Sequence, residues 1–436
     1  MRVKEIRGCR YTSPLEYNVH VEQEVYQALI HASQSLPLVP SIKRLVWDNT
    51  SVESFKYLKS LFISPTLTIL HLWLTGEDGC YDFSLFSLLT SLSLLCPSVS
   101  TLGLTADPRD MLDDRRKSEI SMHTSATLSA FRNLMHLQRL ELALIRMPET
   151  ALCNLITLDC LRSLRICNIP PHGFQHPMPE DRRNPFFPRL EHLEMTKCTI
   201  EFSLWMFANM WETPLKTLIL EFVEPPTAAN WKTLFRTIHD QIPHRHLRVI
   251  DISFEPVRHG TTDIGLTMRE LSPLLSFTRL TRVSLGLCIS LDDDVMTRIA
   301  LAWPHLESFY LRDQPIESSQ SVTFEGLANL ARNCQALEGL CLPSIDVTRM
   351  LPDLLDLDGV PCNRTLVVLN VQNSSIDDPS LVAALLSALF PNLQAIYAGE
   401  FMVKWTRVML SIQRNRDIPD CPEADCNCKP SACDIA

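Results

Sequence analysis

The sequence predicts an α/β solenoid with a curved parallel sheet on its concave face and helices on its convex face. Three observations predict it: an apolar hexamer recurs in phase along most of the chain, two leucines of each copy alternate as a strand requires, and helical apolar runs lie between copies. Leu137-Gln138-Arg139-Leu140-Glu141-Leu142 shows the hexamer, LxxLxL, in full. The same frame runs through Leu67…Leu70…Leu72, Val99…Leu102…Leu104, Leu161…Leu164…Ile166, Leu190…Leu193…Met195 and Leu215…Leu218…Leu220. It continues through Leu247…Ile250…Ile252, Leu280…Val283…Leu285, Leu306…Phe309…Leu311, Leu337…Leu340…Leu342 and Leu366…Leu369…Val371. Ile42…Leu45…Trp47 opens the series and Leu393…Ile396…Ala398 ends it. About thirteen copies of roughly 29 residues sit at or just above the period of leucine-rich repeats. One hexamer means little, because any amphipathic helix can supply one; a run in phase specifies a leucine-rich-repeat solenoid.

Leucines two apart point to one side of an extended strand, and the residues between them point to the other. A single such strand cannot bury its apolar face, so successive copies must stack over one continuous core. The chain then returns across the convex side, and Leu85-Phe86-Ser87-Leu88-Leu89, Val295 to Ala300 and Leu381 to Leu386 predict helices there. Leu190 to Ile200 extends the frame to LxxLxLxxCxI, and Leu280 to Cys288 to LxxLxLxxC; Gln314 and Ser374 take the cysteine's place elsewhere. A small group with a weak donor suits the strand exit, where carbonyls lose their ladder partners. Cys198 and Cys288 are therefore read as structural.

Residues 1–35 fit no repeat, but Val21, Val25, Leu29 and Ala32 share a helical face and predict a helix capping the first turn. Residues 36–417 form the solenoid, and residues 418–436 read as an acidic, cysteine-rich flexible tail. Two connections are longer than the rest, a charged one at 106–125 and a proline- and arginine-rich one at 170–189. Phe186 and Phe187 in the second are either packing for the next repeat, the preferred reading, or an exposed anchor for a partner.

A chain of 436 residues with net charge −10 lacks the basic face that nucleic acid or an anionic membrane needs. Its 15 cysteines, an odd number at mostly core-like positions, and the absence of a signal peptide predict a reducing cytoplasmic or nuclear compartment. Only 12 glycines occur, and no GxGxxG, GxxxxGK[ST] or GxSxG string. Phosphate-cradling loops and nucleophile elbows need glycine where a side chain would collide. No catalytic residue, metal or cofactor is assigned, and the chain is read as a non-enzyme and a monomer.

The concave wall consists of the residues between the strand leucines. In order, its centre runs Val46, His71, Gly103, Glu141, Arg165, Glu194, Ile219, Asp251, Ser284, Tyr310, Cys341, Asn370 and Tyr397. Arg139, Glu221, Arg282, Arg312 and Gln372 flank it. Tyrosine and arginine are the types that most often anchor protein interfaces. The expected partner-binding set is Arg139, Glu141, Arg165, Glu194, Glu221, Asp251, Arg282, Tyr310, Arg312 and Asn370, and the expected partner is a protein.

Other constellations have plainer readings. His239, His244 and His246 contain an HxH pair but neither HExxH spacing nor a carboxylate pair. Asp292-Asp293-Asp294 stands where a convex helix should begin, a place the helix dipole favours for acids. The tail cysteines Cys421, Cys426, Cys428 and Cys433 lack the usual zinc spacing. Cys433-Asp434-Ile435-Ala436 fits the loose prenylation pattern, so the alternative function is a membrane-tethered interaction protein lipidated at Cys433.

Leu291 to Leu311, LDDDVMTRIALAWPHLESFYL, carries a further signal, together with Leu327-Ala328-Asn329-Leu330-Ala331 before Cys334-Gln335-Ala336-Leu337 and with Asp378-Pro379…Leu389-Phe390-Pro391-Asn392-Leu393. Over roughly residues 36–400 the chain resembles the basidiomycete family of F-box proteins with irregular leucine-rich repeats. The resemblance implies a fungal substrate receptor, whose F-box docks the adaptor of a cullin-based ubiquitin ligase while its repeats choose the substrate. Residues 1–35 contain no LPxE-like F-box start. The expectation is either that an F-box lies upstream of Met1 or that this relative keeps recognition without the ligase tether.

Overall fold

A computed structural model describes residues 5–7, 23–33, 36–47, 52–74, 81–106, 130–143, 155–156, 158–167, 185–254, 266–287, 289–311, 321–347, 361–372, 374–399 and 401–417. Among the described residues, fourteen strands form one open parallel sheet whose spatial order is the sequence order. They are β1 (Glu5–Arg7), β2 (Arg44–Trp47), β3 (Ile69–Leu74), β4 (Thr101–Ala106), β5 (Arg139–Ala143), β6 (Ser163–Cys167) and β7 (His192–Cys198). Then follow β8 (Thr217–Phe222), β9 (Val249–Phe254), β10 (Arg282–Leu285), β11 (Ser308–Leu311), β12 (Gly339–Cys341), β13 (Val368–Asn370) and β14 (Ala395–Tyr397). This is the α/β leucine-rich-repeat solenoid that the hexamers predict, with one hexamer on each strand from β2 onward.

The apolar teeth point inward throughout. Leu215, Leu218 and Leu220 are each fully buried, as are Leu137, Leu140 and Leu142. A short turn delivers most hexamers: the N–H of the first residue donates to the carbonyl three residues earlier, as in Leu67 to Ser64 (3.1 Å), Leu280 to Phe277 (3.2 Å) and Leu337 to Cys334 (3.1 Å). The next two N–H groups fork onto one carbonyl of the preceding repeat. Arg162 and Ser163 both donate to Gln138 O, at 2.7 and 2.9 Å, and Glu307 and Ser308 to Thr281 O, at 2.7 and 3.0 Å. Backbone groups that would be orphaned at the strand entry thereby tie each turn to its neighbour.

Convex helices occur at Tyr81–Leu95, Ile200–Ala208, Ala228–Gln241, Asp293–Ala302, Phe324–Asn333 and Pro379–Leu389, covering the three runs read as helical. Thr199, Thr227, Asp292, Thr323 and Asp378 cap the last five, each accepting from a first-turn N–H. The strand exits work as the Cys/Ser pattern implies. Cys198 Sγ reaches Glu221 O at 3.4 Å, and Ser374 Oγ donates to Val371 O at 2.6 Å while accepting from Ile345 N–H at 2.8 Å. Burial pushes the Cys198 thiol up to about 12, so it stays protonated and unreactive. Cys288 and Gln314 lie outside the described residues, as does most of both long connections.

Two expectations are corrected. Residues 1–35 hold the predicted helix (Gln23–Ser33), but Glu5–Arg7 adds a strand ahead of the first hexamer, with Ile6 opposite Leu45. The buried face of that helix is also turned by about one residue: Val25 is exposed, whereas Tyr26 is buried and stacks on Tyr57 at 5.0 Å. The larger aromatic removes more apolar surface from water than valine would. Phe186 and Phe187 are both buried, Phe186 packing on Trp205 at 5.3 Å, so the reading as core packing holds and the exposed anchor does not.

Candidate functional site

Side chains on the face opposite the core line the inside of the curve, and pairing places them in one row. Register runs Val46, His71, Gly103, Glu141, Arg165, Glu194 and Ile219. It goes on through Asp251, Ser284, Tyr310, Cys341, Asn370 and Tyr397. Every central residue expected from the hexamers therefore faces its counterpart in the next repeat. A strict period of two permits this, because a one-residue slip would bury the whole polar set.

The row divides into three stretches. In the first, the His71 imidazole lies across Gly103, where an added Cβ would fall 2.2 Å from Nδ1. Burial lowers the pKa of His71; Glu141 opposes the shift, and Arg44 and Arg139 add to it.

In the second, Arg165 of β6 is held between carboxylates of both neighbouring strands. Its Nη1 lies 2.8 Å from Glu141 Oε1 and its Nε 3.0 Å from Glu194 Oε1. One guanidinium thus bridges two carboxylates, with Glu221 and Asp251 further along the wall. Burial raises the pKa of Glu194, Arg165 opposes the shift, and Glu141, Glu221 and Asp251 raise it further. Beside this stretch, Glu191 accepts from Arg162 and Lys216, each at 2.6 Å. The Lys216 hydrogen bond is the main reason its pKa falls.

In the third stretch the wall sinks into a depression of about 670 Å³ between β8 and β13. Asp251, Arg282, Ser284, Tyr310, Asn370 and Gln372 contribute its polar lining, and Ile219 and Val283 part of its apolar lining. Small residues create the space. Gly339 admits the Tyr310 ring, whose hydroxyl would lie 2.4 Å from any Cβ at that position. Tyr310 remains 38% exposed and Tyr397 54% exposed. Arg282 Nε sits 3.7 Å from Glu307 on the rim.

Of the ten residues singled out by sequence, Asp251, Arg282, Tyr310 and Asn370 line the depression, and Glu141, Arg165 and Glu194 form the ion-paired stretch. Glu221 lies beside that stretch and Arg139 at the entry of β5, while Arg312 is outside the described residues. Cys341 departs from expectation. It occupies its place in the row but is buried, because Gln372 folds over it with Nε2 3.2 Å from its sulfur. Cys433 is outside the described residues.

The three histidines make local bonds: His244 Nε2 meets His239 O at 2.9 Å, and His246 Nε2 accepts from Arg245 Nε at 2.9 Å. Among the described residues no group of three or more His, Cys, Asp or Glu side chains is placed to hold a metal. No helix among them is long and apolar enough to cross a membrane.

No protein-family model and no curated protein matches the chain. Solved structures do. The chain is similar to one from the yeast Rad7–Elc1 complex, at 18% identity over 80% of this chain and 82% of that one, with a TM-score of 0.44. It is similar to an internalin (InlF) from Listeria monocytogenes, at 12% identity over 82% and 95% of the two chains, TM-score 0.33. It is also similar to the leucine-rich repeat-containing protein LegL7 from Legionella pneumophila, at 13% identity over 86% and 98%, TM-score 0.34. What the fold and the face together define is a leucine-rich-repeat solenoid with an open, polar concave wall.

Proposed function

We propose that the protein is a non-enzymatic recognition scaffold that grips another protein on its concave wall. One observation carries the reading: thirteen non-leucine strand positions fall in a single register row, and that row carries ion-paired carboxylates, exposed tyrosines and an open depression. Interface cores are enriched in tyrosine and arginine and need concavity for their anchors. The finer version is a substrate receptor of a cullin-based ubiquitin ligase, cytoplasmic or nuclear. Its support is the sequence resemblance at Leu291 to Leu311 and at Asp378 to Leu393.

Affinity capture with the full chain, followed by mass spectrometry, identifies bound proteins. Direct binding is then measured for the wild type and for Tyr310→Ala and Arg165→Glu. The scaffold reading expects at least tenfold weaker binding for both, with helical content and cooperative unfolding retained. Unchanged binding in both removes the concave wall from the function. Recovery of cullin and adaptor subunits supports the ligase version; a wall-dependent partner without them leaves recognition alone.

A further inference from the structure

We propose that the strand-entry rim from β7 to β10 is a docking surface of its own, separate from the concave wall, and that it takes a short acidic segment of a protein. The net charge of −10 hides a basic strip there. The four entries, residues 188–192, 213–217, 245–249 and 278–282, carry Arg189, Lys216, Arg245, Arg248, Arg279 and Arg282 against a single acid, Glu191. Backbone pairing sets these entries side by side. Arg248 N–H donates to Lys216 O at 2.9 Å, and Thr281 and Arg282 N–H donate to Arg248 O at 2.8 and 3.1 Å. Their field converges on His246: burial lowers its pKa, and Arg245, Lys216 and Arg279 lower it further.

Most of this charge is not used within the chain. Glu191 is already bonded to Arg162 and Lys216, and Arg282 leans toward Glu307 at 3.7 Å. Arg245 donates from Nε to the His246 ring at 2.9 Å, which leaves its charge unopposed. Arg189, Arg245, Arg248 and Arg279 are exposed, and among the described residues no carboxylate pairs with any of them. Crowded like charges repel in the folded chain, and an arriving anion relieves that repulsion.

The dimensions of the strip select its occupant. Strands ~4.8 Å apart make it roughly 14 Å long, which about five residues of extended peptide span. Asp159 lies before it, and Glu307 and Glu338 lie after it. A nucleic-acid backbone or a lipid surface would run onto those acids, whereas a short run of carboxylates would not. Five of the six cations are arginine, whose planar fork holds a carboxylate by two parallel hydrogen bonds.

The test titrates the full chain into a fluorescein-labelled twelve-residue peptide of alternating Glu and Ser at low salt, read by anisotropy. This peptide should bind at least tenfold more tightly than its Gln–Ser counterpart, and added salt should release it. Arg245→Glu, Arg248→Glu and Arg279→Glu combined should weaken binding at least tenfold. Lys232→Glu, Arg236→Glu and Arg269→Glu combined change the net charge equally, away from the rim, and should stay within threefold of wild type. Single Arg248→Gln and Arg279→Gln variants, too mild to unfold the chain, should each cost at least threefold. No binding of the Glu–Ser peptide, equal binding of the Gln–Ser peptide, or equal losses in the two triple variants overturns the proposal. So does tighter binding, through the same arginines, of a single-stranded DNA dodecamer or of phosphatidylserine vesicles. Tyr310→Ala should leave binding of this peptide unchanged. A tenfold loss there would place the peptide on the concave wall and remove the rim as a separate surface, leaving the wall as the binding face.

Discussion

The Asp293 carboxylate, on one convex helix, accepts from the backbone N–H of Gly326 on the next at 3.0 Å, and also from Thr323 N–H at 2.8 Å and Thr323 Oγ at 2.7 Å. An acid in the first turn of its own helix therefore also satisfies the first turn of its neighbour, where N–H groups have no intrahelical acceptor. Gly326 is required by this contact, since a Cβ there would fall 2.6 Å from Asp293 Oδ1 and 2.8 Å from Val322 Cγ1.

Gly326→Ala should destabilise the chain by about 1–3 kcal/mol through overpacking, even though alanine is the better helix former by about 1 kcal/mol. Asp293→Ala should cost a similar amount, about 1–3 kcal/mol, by leaving N–H donors unmatched. Urea unfolding followed by circular dichroism measures both. A stabilised Gly326→Ala would mean that the two helices do not meet as described.

Asn363 staples the strand entry of the thirteenth turn. It is fully buried, donates from Nδ2 to Cys334 O at 2.7 Å, and accepts through Oδ1 from the N–H groups of Thr365 and Leu366, both at 2.8 Å. Asn363→Leu keeps the volume but strands several polar groups, and each buried unmatched group costs about 1–3 kcal/mol. The expected outcome is a clear fall in the urea midpoint, larger than that of Asn392→Leu on the exposed side of the next turn.

Acid should weaken the first part of the wall through His71. Its folded pKa lies below the ordinary 6.5, chiefly because of burial, so the unfolded chain binds the proton more readily. Its contribution is fully present above 6.5, and is lost as pH falls from there through the lowered folded value. Wild type minus His71→Gln stability, measured by urea titration at stepped pH, should therefore shrink as the solution is acidified across that window. A difference that grows on acidification contradicts the buried, neutral imidazole.

Gln372→Gly separates folding from recognition. Glycine takes φ 43° without penalty, which offsets the two hydrogen bonds lost from the side chain. The variant is expected to melt within a few degrees of the wild type, yet to bind partner at least tenfold more weakly. A calorimetric scan beside a binding titration decides it, and loss of both together would make Gln372 merely structural.

The leucine rhythm was enough to place β2 to β14 and the whole central row, because a period of two leaves no freedom over which residues face the groove. The Arg165 sandwich was also legible: Glu141, Arg165 and Glu194 hold the same hexamer position in consecutive repeats, so alternating charge down that column implies pairing. The staples were not. Asp293 and Asn363 act on residues about one repeat away, in the next turn and the preceding one respectively, and nothing within a single repeat marks that contact. β1 escaped because Glu5–Arg7 has no hexamer and gains its place only by pairing with β2. The burial of Cys341 escaped because it depends on a left-handed bend at Gln372, which no periodicity encodes.

The central claim is that partner protein lies against the inside of the curve. The most direct measurement places a photoreactive benzoylphenylalanine at Ser284, within the depression, or at Arg298, exposed on the convex helix, and irradiates each full chain with its captured partner. Cross-linking from position 284 and none from position 298 is the predicted result. Cross-linking from 298 with none from 284 would contradict the account.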